Sequence, residues 1–247
     1  MKLRNWTGIV FLLMVSLPGY AFDSVDEQID HYLDVLSDSP VKARVSMLKW
    51  LKFTAITDPR LYDEIEKTPL QEYQNKQLDK VTLSDVGHKI RALGYSGNPK
   101  YRDTLITIQS DTPNKRIRGY ATKALIDLGK YTHWNKLIAD SDPGVEGKST
   151  ELTTYFKMLN TDDPFVQHLG ARAIFEERHR DSDALELIAE KLKALYAVPG
   201  LGGQQLDTAA WFIKVLGQSG NYRDLLTEVN QSTPHKKLKK HSIKFIK

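Results

Sequence analysis

The sequence predicts an all-α protein in which pairs of helices stack one after another along the chain. Three features predict this fold. Two segments of the chain resemble each other, prolines recur where helices typically begin, and no segment alternates apolar and polar residues for long enough to form a strand.

The two similar segments are residues 83–125 and 206–246. Both contain Ile, Leu-Gly and Ser-Gly-Asn at the same offsets, and after two extra residues in the first segment the match continues through Tyr-Arg-Asp and Thr-Pro. Of 41 aligned positions, 15 are identical. The alignment pairs Gly97 with Gly220, and we expect both glycines to form the turn that ends a helix.

Prolines predict where many of the helices begin. Eight of the ten follow Asp, Asn, Ser or Thr. A capping side chain before proline is typical of a helix start, because proline lacks the N–H that would be unpaired there. After Pro113 apolar residues recur with helical period as far as Gly129, where we expect the helix to end. The predicted helices span 24–36, 40–53, 59–67, 70–79, 82–94, 99–110, 114–128, 132–140, 146–159, 164–177, 183–197, 204–217, 221–230 and 234–246.

Residues 117–129 (IRGYATKALIDLG) resemble the HEAT-repeat pattern of a β-branched residue, Arg, Ala, Ala-Leu and a final Leu-Gly. Residues 166–174 (VQHLGARAI) follow the same pattern with Gln167 in place of Arg, residues 83–97 and 206–220 fit it more loosely, and residues 41–51 fit it only by hydrophobic pattern. The leading helices recur about every 39 residues, close to the unit length of HEAT and armadillo repeats. The resemblance implies a right-handed α-solenoid of about five to six HEAT-like helix-pair repeats over residues 22–247. It implies little about function, because such families include scaffolds, transport receptors and relatives of phycobilisome lyases.

Composition excludes several classes of protein. The chain has 247 residues, of which 40% are hydrophobic and 27% charged, and it has no cysteine. The missing cysteine excludes disulfide scaffolds, thiolate nucleophiles, Cys-ligated zinc and iron–sulfur clusters. The modest apolar content is consistent with stacked helix pairs, because each pair contributes only a thin layer to the hydrophobic core.

The first 21 residues have the features of a cleavable signal peptide. Lys2 and Arg4 precede an apolar run at residues 9–15, and Gly19 and Ala21 are small residues at −3 and −1 of a cut after Ala21. The run is too short to cross a bilayer, which takes about 20 residues. We therefore expect an exported protein, with the periplasm of a Gram-negative cell as its destination.

The C-terminal segment is basic, although the rest of the chain is not. Residues 231–247 contain six Lys and no acid, and residues 22–247 have a net charge of +2, so residues 22–230 have a net charge of 2 − 6 = −4. The segment is predicted to be the last helix of the solenoid, either as a polar cap or as a surface for an anionic partner.

No motif predicts catalysis or a cofactor. Residues 142–150 approach a phosphate-binding loop, but Asp142 stands where the motif requires Gly. The same stretch approaches a calcium loop, but Val145 stands at the turn position that requires Gly. The seven histidines have no metal-binding spacing. The sequence therefore predicts a protein that is not an enzyme and has no cofactor and no metal.

The expected function is that of a protein-binding scaffold or adaptor. Its partner, most simply another protein, would bind a groove lined by helices such as 99–110, 132–140, 183–197 and 221–230, an orientation that follows from the family resemblance. Candidate contacts there are Tyr101, Arg102, Trp134, Tyr222 and Arg223. The Trp and the two Tyr are equally explained as core residues.

Two alternatives stay open at this point. In the first, the basic helix binds an anionic envelope surface such as phospholipid, lipopolysaccharide or an acidic protein, through Lys236, Lys237, Lys239, Lys240 and Lys244. Nucleic acid is a poor candidate, because an export signal is present and the basic segment has no Arg. The second alternative is a lyase-like enzyme related to the phycobilisome group, and no residue pattern supports its chemistry.

Overall fold

The computed structural model describes residues 21–246, so the predicted signal peptide lies outside the described residues except for Ala21. Over this range the chain forms twelve α-helices and two 3-10 turns and no strand, which confirms the predicted all-α class. The helices are α1 (Val25–Asp38), α2 (Val41–Trp50), α3 (Pro59–Glu72), α4 (Lys80–Tyr95), α5 (Arg102–Asp111), α6 (Lys115–Asp140), α7 (Thr150–Asn160), α8 (Pro164–Glu176), α9 (Ser182–Leu195), α10 (Gly203–Ser219), α11 (Arg223–Ser232) and α12 (Lys236–Ser242). The 3-10 turns are Leu51–Phe53 and Pro99–Tyr101.

The helix starts predicted at Pro59 and Pro164 agree with the structure, whereas Pro69 lies inside α3. Asp58 and Asp163, each followed by proline, accept hydrogen bonds from backbone N–H groups in the first turns of α3 and α8. Asn98 caps the 3-10 turn before α5 in the same way. Gly97 and Gly220 both have positive φ, 61° and 82°, as expected of the turns that end α4 and α10.

Several predicted helix boundaries are wrong, among them the start at 146, since α7 begins at Thr150. The helix α6 does not end at Gly129. Its next turns bury Tyr131 and Ile138, and this burial outweighs the roughly 1 kcal/mol that glycine costs inside a helix. The predicted helix 70–79 does not form, since α3 continues through the buried Pro69 and ends at Glu72. The last helix ends at Ser242, four residues earlier than predicted.

Helices pack as neighbours in successive pairs. The helix α3 packs on α4, α5 on α6, α7 on α8, α9 on α10 and α11 on α12. The second members of neighbouring pairs also contact one another, from α2 through α4 to α6 and from α8 through α10 to α12. This order of contacts is compatible with a solenoid, whose handedness and repeat architecture stay predictions.

The described chain has two hydrophobic clusters, and α6 belongs to both. The first cluster extends from Ile29 in α1 to Leu128 in α6, and the second from Tyr131 in α6 to Leu238 in α12. Phe53, in the 3-10 turn after α2, joins the second cluster and brings this turn against α8. The boundary between the two clusters lies at Gly129, where the sequence predicted a helix end and where α6 instead continues without a break.

No helix within residues 21–246 combines the length and the apolar character needed to cross a membrane.

Candidate partner-binding surface

Aromatic and cationic side chains from four parts of the fold lie side by side on one surface. They come from the end of α2 with its 3-10 turn, the C-terminal half of α6, α8 and α10. We call this the Arg172 surface, and its members are Trp50, Lys52, Phe53, Trp134, Phe165, His168, Arg172, Trp211 and Lys214. All the tryptophans of the described chain belong to it.

Arg172 lies at the centre, between two aromatic rings. Its guanidinium carbon is 5.8 Å from the ring centroid of Phe53 and 5.4 Å from that of Trp211. The ammonium of Lys214 is 3.5 Å from the Trp211 centroid, and that of Lys52 is 4.6 Å from the Phe53 centroid. Each of the three cations therefore lies within the distance of a cation–π interaction, and each is only partly exposed.

A row of stacked rings extends the surface toward α6. Trp134 and Phe165 are nearly parallel, with ring centroids 4.2 Å apart, and Phe165 stacks in turn on His168 at 5.8 Å. His168 reaches Trp211 at 5.5 Å. Phe165, His168 and Arg172 share one face of α8 because they are spaced by three and four residues.

Positive charge on this surface is only partly neutralised. Arg172 forms an ion pair with Glu176 at 3.3 Å, whereas within residues 21–246 neither Lys52 nor Lys214 has an acidic partner at ion-pair distance. Burial and the neighbouring Arg172 lower the pKa of Lys52 to about 8. The same two causes lower the pKa of Lys214 and bring that of His168 down to about 4. His168 is therefore neutral at neutral pH, and the other three groups repel one another.

The basic C-terminal helix continues the positive charge. The pKa of His241 is lowered by burial and by the charges of Lys214, Lys244 and Lys237, in that order. Lys244 in turn lowers the pKa of Lys214. Lys237 also forms an ion pair with Asp207. The predicted basic segment and the Arg172 surface thus meet at Lys214.

The five contacts predicted for a groove lie in different surroundings. Tyr101 is fully buried, and its hydroxyl donates a hydrogen bond to Asp63 at 2.8 Å, as the core alternative for this residue implies. Arg102 is exposed on α5. Trp134 belongs to the Arg172 surface, so one of the five lies on it.

The remaining predicted contacts lie near the end of the chain. Tyr222 is partly buried, and the guanidinium of Arg223 donates a hydrogen bond to the carbonyl of Ile246 at 2.9 Å. The five predicted lysines of the basic helix (Lys236, Lys237, Lys239, Lys240 and Lys244) are all exposed. Of these, Lys237 and Lys244 are the two that influence both His241 and the neighbouring surface.

Sequence reasoning missed most of the Arg172 surface. Its residues are separated by as many as 164 positions, from Trp50 to Lys214, and the HEAT-like pattern that includes Arg172 and Lys214 assigns neither of them a binding role. A signal was present in α8, where an aromatic residue, His and Arg share one helical face. That pattern on α8 indicates a binding surface only when the positions of the neighbouring rings, Phe53 and Trp211, are known.

Charged side chains of residues 142–150, which approach a phosphate-binding loop in sequence, form ion pairs and hydrogen bonds within the fold. Lys148, from the stretch that approaches a phosphate loop, pairs with Asp181 and Asp183 at 2.7 Å each. In the same stretch Asp142 accepts the backbone N–H of Gly144 at 2.9 Å. Across residues 21–246 no three His, Asp or Glu side chains are grouped so as to hold a metal ion.

Comparison with protein-family models, with curated proteins and with solved structures found no match for this chain.

Proposed function

We propose that this protein is a non-catalytic binding protein, a scaffold or adaptor, and that its Arg172 surface binds an acidic segment of a partner protein. The observation that carries the proposal is the crowding of Lys52, Arg172 and Lys214 against the buried ring of Phe53 and the partly exposed ring of Trp211, with one acid nearby to neutralise them. Export to the periplasm, expected from the first 21 residues, is part of the proposal.

Crowded cations favour an anionic partner. Burial, and after it the neighbouring charge of Arg172, lowers the pKa of Lys52 and of Lys214, so keeping these groups charged costs free energy in the unbound protein. A carboxylate placed between them would relieve this repulsion, so binding would gain from interactions that the free protein lacks. Charge complementarity of this kind also speeds association.

The aromatic rings supply the second contribution. Trp and Arg are the residues most often found where binding energy is concentrated in protein interfaces. Trp211, Trp134 and Phe165 are partly exposed and lie beside Arg172, so an acidic segment with an apolar residue could bury both kinds of group together. A polyanion without apolar groups would use the charge alone.

A binding experiment with a matched control tests the proposal. The surface variant carries Lys52→Gln, Arg172→Gln and Lys214→Gln, and the control carries Lys76→Gln, Lys115→Gln and Arg116→Gln. Both sets remove two Lys and one Arg, and the control residues are exposed, with Lys76 in the turn after α3 and Lys115 and Arg116 at the opposite end of α6 from Trp134. The probe is a labelled Asp/Glu-rich peptide with one Phe, titrated at about 0.15 M salt and followed by tryptophan fluorescence.

We expect the surface variant to weaken peptide binding at least tenfold and the control variant to leave it within twofold. Equal weakening by both variants would mean that net charge, and not this surface, determines binding. The natural partner can then be sought with a photo-crosslinking side chain at Trp211 in cells. The proposal requires that the captured protein be attached through an acidic segment.

A second candidate function rests on the basic helix. Lys236, Lys239 and Lys240 are exposed, and within the described residues they form no ion pair, which suits an anionic envelope surface. A variant with the five lysines of residues 236–244 changed to Gln separates the two functions. If it loses binding to vesicles of anionic phospholipid but keeps the acidic peptide, the basic helix is a membrane-surface element and the Arg172 surface still binds protein.

A further inference from the structure

Among the described residues, burial begins at Phe22. Ala21 is exposed, whereas Phe22 is 7% exposed. The ring of Phe22 lies 5.3 Å from that of His31 and 6.3 Å from that of Tyr32, both in α1. Within residues 21–246, the first buried side chain is thus that of the residue following the cut predicted after Ala21.

The backbone of Phe22 is joined to a distant helix. Its N–H donates a hydrogen bond to Oε2 of Glu151 at 3.3 Å, and its carbonyl accepts one from the N–H of Thr150 at 2.9 Å. Both partners lie in the first turn of α7. These two bonds tie the residue that precedes α1 to the first turn of α7, at the start of the second half of the chain.

Glu151 is a buried carboxylate without a cation. It is 7% exposed, and its other oxygen accepts a long hydrogen bond, 3.5 Å, from the side chain of Gln28. No Lys, Arg or His of the described range pairs with it, and the nearby charge of Glu177 opposes its ionisation. Burial raises the pKa of Glu151 above its ordinary value. A buried charge in such surroundings is costly unless a counter-ion is supplied.

We propose that removal of the leader between Ala21 and Phe22 supplies that counter-ion, so that the new N-terminal ammonium of Phe22 pairs with Glu151 and locks α1 against α7. A leader endopeptidase adds one water molecule across the Ala21–Phe22 peptide bond. The carbonyl carbon of Ala21 leaves as a carboxylate, and the nitrogen of Phe22 becomes an amine that takes up a proton at neutral pH.

The ion pair needs no rearrangement of the fold. The nitrogen that becomes the ammonium is the atom already placed 3.3 Å from the carboxylate oxygen. Position 151, in the first turn of α7, also favours the charged carboxylate through the helix dipole. Processing therefore converts an amide–carboxylate hydrogen bond into an ammonium–carboxylate ion pair at a junction between the two halves of the chain. This inference shares with the proposed function the expected removal of the leader, but it does not depend on what the Arg172 surface binds.

A double-mutant cycle tests the pair. Four proteins are compared by urea unfolding at pH 7: a chain that begins at Phe22, a chain that begins at Tyr20, and the Glu151→Gln version of each. In the longer chain the nitrogen of Phe22 is an uncharged amide. We expect the extension to lower the folding equilibrium constant at least tenfold, about 1.4 kcal/mol, in the chain with Glu151. In the Glu151→Gln background the extension should have little effect.

Glu146→Gln provides the matched control, since Glu146 is exposed and lies five residues before Glu151. The cost of the extension should be the same in this variant as in the unsubstituted chain. An equal cost in the Glu151→Gln background, or no cost in either, would overturn the proposal.

A second measurement avoids any variant that fails to fold. The rate at which an acylating reagent modifies the α-amine of Phe22 is compared in the folded and the urea-unfolded chain beginning at Phe22. We expect the folded chain to react at least tenfold more slowly, and equal rates would refute the ion pair. The mass of the protein recovered from the cell envelope must also correspond to a chain that begins at Phe22, and any other start would contradict the proposed cut.

Discussion

Replacing Gly94 by alanine probes the closest backbone approach between α4 and α6. A methyl group built at Gly94 would lie 2.6 Å from the carbonyl oxygen of Ala124 and 2.9 Å from its Cα. Both atoms belong to the backbone of a packed helix, which cannot turn aside as a side chain can. The two helices would have to separate, and their shared cluster would lose contact.

The magnitude follows from two opposing effects. Alanine in place of glycine inside a helix is worth about 1 kcal/mol of stability. Overpacking a core costs about 1–3 kcal/mol, and a backbone clash belongs at the upper end of that range. We therefore expect Gly94→Ala to lower the free energy of unfolding by about 2 kcal/mol.

Two other glycines provide the controls. Nothing lies within 4 Å of a methyl group built at Gly119, an exposed position of α6, so Gly119→Ala should stabilise the protein by about 0.5–1 kcal/mol. At Gly217, which aligns with Gly94, the methyl group would meet the ring of Phe245, which aligns with Ala124. The Phe245 side chain would have to swing aside as a whole, which costs less than separating two helix backbones, so the expected loss is smaller, about 1 kcal/mol.

The assay is urea unfolding followed by far-UV circular dichroism and by tryptophan fluorescence. The expected order of stability is Gly119→Ala above the unsubstituted protein, then Gly217→Ala, then Gly94→Ala. If Gly94→Ala were as stable as the unsubstituted protein, the close approach of α4 and α6 would be refuted. If all three variants changed stability equally, helix propensity alone would explain the series.

Three further predictions concern single side chains. Burial lowers the pKa of His168 from 6.5 to about 4, so the unfolded chain takes up the proton first and the free energy of unfolding falls as the pH falls from 6.5 to 4. His168→Gln should reduce that fall by about 1–2 kcal/mol, as measured by urea unfolding across this pH range. The pKa of Lys52 is about 8 in the free protein, and a bound acidic ligand should raise it. Binding near pH 8 should therefore take up protons, which calorimetry in buffers of different ionisation enthalpy detects, and Lys52→Gln should abolish this uptake. Tyr101→Phe removes the hydrogen bond to Asp63 and should cost about 1 kcal/mol in urea unfolding, whereas an unchanged midpoint would mean that water replaces it fully.

Much of the fold was predictable because the deciding interactions are local. An Asp or Asn before proline caps a helix through its own side chain, and the starts of α3 and α8 agree with that expectation. Left-handed turns at Gly97 and Gly220 are local as well, since only glycine adopts such angles at little cost. Helical periodicity and the missing strand signal together were sufficient for the all-α class.

The helix through Gly129 was not predictable, because the reason for it is not local. The residues on either side of this glycine belong to different hydrophobic clusters, and only their burial keeps the two segments in one helix. Pro69 is a similar case, since α3 continues past it while packing its buried ring. In both places tertiary burial overrides a local stop signal.

The candidate surface shows the same division. The sequence determined which residues are cationic or aromatic and that one end of the chain is basic, and it indicated Trp134 as a candidate partner contact. Only the tertiary structure placed Arg172 between Phe53 and Trp211, because those residues come from elements that pack together across the chain. It likewise placed Phe22 beside Glu151, 129 positions away. Local preferences can be read from neighbouring residues, whereas charge crowding and counter-ions depend on distances that only the packed chain sets.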